Sequence, residues 1–215
     1  MQSRFAVWLT IILFVGCATV PISGRKQVNL YSESTMIQMS LTAYDEFLDD
    51  ANVVANYNDN AEMVKNVGAK ISAAVEKYMR DINQSKRIEG FQWEFKLVQD
   101  ETVNAWCMPG GKVVFYTGIL PICEDETGVA VVMGHEIAHA VARHGNERMS
   151  QGVLVNGGGA ALDVLTSEKP GLARNILLQS YGIGSALGTL AYSRTHESEA
   201  DKLGMVFMAI AGYDP

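Results

Sequence analysis

His135, Glu136 and His139 stand within five positions in GHEIAHAVARHG, residues 134–145. Positions four apart on an α-helix lie within about 40° of one another, so the two imidazoles can converge on one ion. Neutral imidazole is a good zinc ligand, and Glu136, one place further round, can hold a water against the metal without binding the metal itself. This is the His-Glu-x-x-His pattern of zinc-dependent hydrolases. Half of the chain's four histidines fall in this motif, with Gly134, Ala138 and Ala140 leaving room around it. Coincidence is a poor explanation for that grouping.

A catalytic zinc takes three protein ligands and keeps one position open for water, so two histidines leave a deficit. His144 is nearest in sequence, but on a continuous helix it points about 180° away from His135. A structural role near the helix end is expected for it. THESEAD, residues 195–201, is the other source. If helical, it puts Glu197 and Asp201 on one face, whereas Glu199 lies about 200° from Glu197 and is expected in solvent. Metal-bound histidines donate their second N–H to a carboxylate or carbonyl. Glu197 is therefore the expected third ligand and Asp201 the carboxylate that orients a ligand histidine, His135 in the first instance. His196, about 100° from Glu197, can at most flank the site.

The elements that must position these groups are legible in outline. Helical spacing runs from Ser32 to Val54, with Met36, Met39, Leu41, Phe47 and Leu48 as buried positions. NYNDN at 56–60 breaks it and caps a second helix, in which Val64, Val67, Ile71, Ala74, Val75 and Tyr78 form an amphipathic face. FQWEFKLV alternates Phe91, Trp93, Phe95 and Leu97 with the residues between them, as a half-buried strand does. VNAWCM and KVVFYTGI read as two more strands joined by the turn PGG at 109–111, together a small antiparallel sheet. Glu124, Asp125 and Glu126 begin the helix that carries the histidine motif, where the helix dipole favours negative charge. Residues 151–173 are Gly-rich and irregular, and a helix is expected from about Ala173 through THESEAD. Helices, a sheet and helices in that order give an α+β class. GIGSALG at 182–188 resembles a dinucleotide fingerprint, but its third glycine is one place late and no strand precedes it.

The N-terminus belongs to no fold. Arg4 is followed by an apolar run from Phe5 to Val15, too short for a membrane span of about 20 residues and of signal-peptide proportions. FVGC at 14–17 looks like a bacterial lipobox, with Cys17 lipidated as the first mature residue; an uncleaved anchor is the alternative. The expected organisation is a signal peptide over 1–16, a lipidated tether over 17–31 and one domain over 32–215. Export permits a disulfide between Cys107 and Cys123, although two free buried thiols are the preferred reading. A hydrophobic fraction of 48% marks a folded chain, and a net charge of −7 without a basic stripe excludes nucleic acid as a partner.

GHEIAHAVARH with the downstream SRTHESEAD resembles metallopeptidase family 48, gluzincins of the HtpX and CAAX prenyl protease type. NAWCMPGGKVVFYTGIL is similar to the stretch before the zinc helix in such enzymes, and CATVPISGRKQVNL to the start of the family's exported lipoproteins. The resemblance implies a gluzincin fold with one zinc held by His135, His139 and Glu197, with Glu136 as general base and Asp201 behind the ligands. It implies that Asn104, Ala105, Pro109 and Gly110 form a substrate-binding edge strand and its turn. The expected activity is endoproteolysis of unfolded or misassembled envelope proteins. A zinc-containing, chaperone-like lipoprotein is the alternative. Ala18 after Cys17 fits anchoring in the outer membrane of a Gram-negative cell, facing the periplasm. Relatives continue with more helix beyond the point matching AGYDP, so the domain is expected to be C-terminally truncated. Tyr192, His196 and Tyr213 are then the residues available to stabilise an oxyanion, unless zinc does so alone.

Overall fold

The computed structural model describes residues 17–155, 170–181, 183 and 193–215. It opens with strands β1 (Cys17–Thr19) and β2 (Lys26–Val28), paired antiparallel as a two-stranded ribbon. Helices α1 (Glu33–Asp50) and α2 (Asp59–Asp81) follow, then strands β3 (Glu94–Val98), β4 (Ala105–Met108) and β5 (Lys112–Tyr116). A short helix α3 (Leu120–Cys123) leads into α4 (Glu126–Ala142) and α5 (His144–Val155), and α6 (Pro170–Ser180) and α7 (Arg194–Ala211) complete the described chain. The α+β class holds.

Helices α1, α2, α4 and α7 each start on a side chain that accepts from their free amides. Ser32 accepts from the Thr35 amide, Asn58 from those of Asn60 and Ala61, Asp125 from those of Thr127 and Gly128, and Ser193 from that of His196. In α2 the expected stripe of Val64, Val67, Ile71, Ala74 and Val75 is buried.

The sheet runs in the order β3-β5-β4. β4 and β5 form the expected antiparallel hairpin, with Gly110 and Gly111 at φ of 90° and 82° in its turn. That left-handed region is open to glycine at little cost. β3, however, joins β5 in parallel, with Glu94 opposite Lys112 and Val98 opposite Tyr116, so the sheet is mixed. β5, buried at every residue as β4 is, lies between β3 and β4.

Two apolar clusters lie on the two faces. Leu97, Cys107, Val113 and Phe115 pack with α2, α4 and α7. Val98, Trp106, Met108, Val114 and Tyr116 pack with Met36 and Tyr44 of α1, Met149 of α5 and Leu177 of α6.

Two further expectations change. Residues 17–31 are not a free tether, since the ribbon docks on the domain with Val20, Gln27 and Tyr31 buried. Buried Arg87 ties the ribbon down, donating to the Thr19 carbonyl, to Gln27 Oε1 and to the last carbonyls of α4 at Val141 and Ala142. The helix expected from Ala173 through THESEAD ends at Ser180, and a new one begins after Ser193. GIGSALG lies outside the described residues apart from Ile183. Cys107 and Cys123 are both free and buried.

Candidate metal centre

α4 and α7 cross closely because neither has a side chain at the crossing. A Cβ on Gly134 would stand 3.1 Å from the Gly204 carbonyl oxygen, and one on Gly204 would stand 3.1 Å from Gly134 backbone. This contact brings the two chemical motifs, more than fifty residues apart in sequence, onto one patch. His135 and His139 project from α4, and Glu197 and Asp201 from the first two turns of α7.

His135 Nε2 lies 3.0 Å from His139 Nε2 and 3.4 Å from Glu197 Oε2, and His139 Nε2 lies 3.7 Å from Glu197 Oε1. A tetrahedral ion with bonds of about 2.05 Å needs donor atoms about 3.3 Å apart. The three separations bracket that value. Asp201 Oδ1 stands 2.9 Å from His135 Nδ1, the orienting contact expected from the sequence.

Proton positions make the case for a cation stronger than distance does. The acceptor-only Asp201 carboxylate puts the His135 proton on Nδ1, leaving a lone pair on Nε2. His144 Nε2 faces Glu199 Oε2 at 3.0 Å and so carries the His144 proton. His144 Nδ1 is then an acceptor, and it takes the Nδ1 proton of His139 at 3.0 Å. His139 Nε2 is therefore a lone pair as well. Two imidazole lone pairs and a carboxylate point at one another with no proton between them, an arrangement that a divalent cation resolves. Zinc fits this donor set, which has two nitrogens and one oxygen.

The electrostatics agree. Burial, helped by His135, His144 and His196, holds the His139 pKa well below its usual range. Burial raises the Glu197 carboxyl, and burial with the nearby Glu197 charge pushes Glu136 up to about 8. Each shift reflects the cost of burying charge, and a bound cation opposes the two carboxylate shifts.

Residues 66–215 match the sequence profile of peptidase family M48. The chain belongs to that family. It is 32% identical over 202 residues to mitochondrial metalloendopeptidase OMA1 of Schizosaccharomyces pombe, covering 91% of this chain and 53% of that protein. The Arabidopsis thaliana protein of the same name is 32% identical over 190 residues, covering 88% of this chain and 33% of its own length. The beta-barrel assembly-enhancing protease of Escherichia coli is 28% identical over 129 residues, covering 57% of this chain and 26% of its own. The chain thus spans about half the length of the first of these relatives and less of the others.

Within this M48 domain, the remaining sequence expectations fall out unevenly. β4 is the outer strand of its sheet, and Cys107 on it lies close enough to Glu136 for the Glu136 charge to help burial raise the thiol pKa. Asn104 and Ala105 sit at the start of that strand, and the Asn104 carbonyl accepts from the Tyr116 amide. Pro109 and Gly110 lie at its far end. There the Gly110 carbonyl accepts from the Gln92 amide, and a Cβ on Gly110 would stand 3.3 Å from Ile37, so the turn is tied to α1 and to the segment leading into β3.

His196 does not face the metal group. It is buried, stacks on His144 with ring centres 4.4 Å apart, and donates from Nε2 to Glu147 Oε2 at 3.1 Å. Tyr213 is no better placed. Its hydroxyl donates to Glu126 at the start of α4, nine residues and about 13 Å of helix from His135. Tyr192 lies outside the described residues.

The largest departures concern Glu199 and His144. Glu199, expected in solvent, is 4% exposed and accepts from Ser23, Arg25 and His144. Helical phase correctly turns it away from Glu197, but that side of α7 is covered by the ribbon and α5. His144 is wholly buried and meets His139 because α4 ends one residue earlier, where Arg143 adopts φ 63° and resets the helical phase. Gly145 and Asn146, immediately after His144, were the available signal of that break. Arg25 and Glu147 had no sequence signal at all.

Proposed function

We propose that this chain is the catalytic part of a zinc metalloendopeptidase that hydrolyses peptide bonds of unfolded or misassembled envelope proteins. The observation that carries the reading is the convergence of His135, His139 and Glu197 as three proton-free donors beside Glu136. Zinc, when bound there, supplies a Lewis acid that acidifies water and polarises a carbonyl. Glu136 accepts the proton of the attacking water and returns it to the leaving amine. Asp201 keeps the His135 proton on Nδ1. Asn104 is half-buried and Ala105–Met108, Pro109 and Gly110 are buried, so an extended substrate that adds to the outer edge of β4 through main-chain hydrogen bonds, a mode that favours unfolded chains, must first uncover that edge.

The name of the Escherichia coli relative, a beta-barrel assembly-enhancing protease, supports proteins met during assembly as the substrate class. The apolar run before Cys17 supports export and attachment by lipid at Cys17, facing the periplasm from the outer membrane. Among the described residues no helix is long and apolar enough to cross a membrane.

Zinc content and casein cleavage of the wild-type chain and Glu136→Gln test the reading. Near-stoichiometric zinc in both is expected, with cleavage lowered about 10²–10⁴-fold in the variant. Zinc without wild-type cleavage would favour a chaperone-like binding protein, and cleavage surviving Glu136→Gln would remove Glu136 from its role.

A further inference from the structure

Behind the metal group lies a second set of histidines and glutamates that the hydrolytic reading does not use. Its hub is Arg25, in the turn of the N-terminal ribbon. The guanidinium makes two forks. Nη1 and Nη2 donate to Glu147 Oε1 and Oε2, both at 2.7 Å, while Nε and Nη2 donate to Glu199 Oε1 and Oε2 at 2.9 and 3.0 Å. Ser23 adds a third donor to Glu199, and Gln27 another to Glu147. Each glutamate then takes a histidine proton, Glu199 from His144 and Glu147 from His196. His144 passes on to the ligand His139, and His196 immediately precedes the ligand Glu197.

We propose that His144 and Glu199 are positioning residues of the metal centre and that Arg25 completes them, so the docked N-terminal ribbon is part of the zinc site. The inference rests on the zinc reading above. A neutral imidazole has one donor and one acceptor nitrogen, and the neighbour of one decides the state of the other. Glu199 can only accept, so it fixes the His144 proton on Nε2. His144 can then only accept at Nδ1, which fixes the His139 proton on Nδ1 and frees Nε2 for the ion. Were Glu199 released from Arg25 and Ser23, nothing among these contacts would hold it against His144. His139 could then carry its proton on Nε2, where it opposes the ion. Asp201 does the same service for His135 in one step; His139 is served through three residues, the last of them 114 positions upstream.

The test measures Zn²⁺ affinity of the full chain by competition with a chromophoric chelator, together with the visible spectrum of the Co²⁺-substituted protein. His144→Leu and Arg25→Ala should bind Zn²⁺ about 10–100-fold more weakly, as loss of partners behind ligands does elsewhere. Their Co²⁺ spectra should shift. His144→Gln, which still offers an acceptor to His139 and a donor to Glu199, should keep most of the wild-type affinity. Met36→Ala, in the cluster on the other side of the sheet, should lower the melting temperature of the metal-free protein and leave Zn²⁺ affinity alone. Unchanged affinity in Arg25→Ala and His144→Leu overturns the proposal, as does a His144→Gln variant no better than His144→Leu. Should His144→Leu fail to fold, Arg25→Ala decides, since this side chain is 28% exposed and leaves no sealed cavity. A wild-type chain that binds no Zn²⁺ overturns the zinc reading itself, a result distinct from either of the others.

Discussion

Two groups of histidines and glutamates sit back to back in this molecule, and they have opposite characters. His135, His139 and Glu197 bring three acceptors together with no donor among them, partly open to solvent. His144, His196, Glu147 and Glu199 are each at most 5% exposed, yet donors and acceptors alternate through them and end on one guanidinium. The first group is unbalanced and calls for a cation; the second carries its own. Residue type therefore does not distinguish a metal site from a buried polar network. The presence of Arg25 does.

The largest effect separating the two groups should come from Glu197→Ala against Glu199→Gln. Zinc content by atomic absorption should fall close to zero in the first, with cleavage lost. In the second, zinc is retained at saturating concentrations, because the ligand set is intact. Equal losses would erase the distinction.

Gly204→Val should come next. Its side chain must enter the 3.1 Å approach of α4 and α7, and overpacking of this kind costs about 1–3 kcal/mol in chemical denaturation. Both groups span that crossing, so zinc affinity should fall together with stability.

A smaller, pH-dependent effect belongs to the buried group alone. Burial would raise the Glu147 carboxyl, but hydrogen bonds from Arg25 and His196 outweigh it and hold the pKa at about 2, against an ordinary 4.5. The unfolded chain therefore takes up this proton first on acidification. The Glu147 contribution is complete above about pH 4.5 and is lost as the pH falls towards 2. Melting temperatures across that window should show a shallower acid slope in Glu147→Gln than in wild type. The smallest effect is expected from Tyr213→Phe, whose hydroxyl is tied to Glu126 far from the metal group, with casein cleavage unchanged.

The open group was readable in the sequence because every step rests on helical phase within one element. His135 and His139 are one turn apart, and so are Glu197 and Asp201. The same reasoning failed at His144, where it assumed that α4 continues past Ala142, whereas Arg143 enters the left-handed region and redirects the chain. It half succeeded at Glu199. Phase turned the residue away from the ion, but what lies on that side depends on elements far away in sequence. The mixed sheet has a similar origin. Alternation marks β3 as a strand, but says neither which strand of the hairpin it joins nor in which direction.

By itself, then, the sequence determined the His-Glu-x-x-His helix, the face that Glu197 and Asp201 share on α7, the cap of α2 and the α+β order, all of them consequences of a repeat of about 3.6 residues or of neighbours a few positions apart. Only the tertiary structure decided that the segment after residue 16 is a docked ribbon and not a tether, and that Arg25 reaches Glu147 and Glu199 across separations of 122 and 174 residues. No local pattern encodes such pairings, because a charged side chain is indistinguishable from a solvated one until packing has removed its water and supplied its partner.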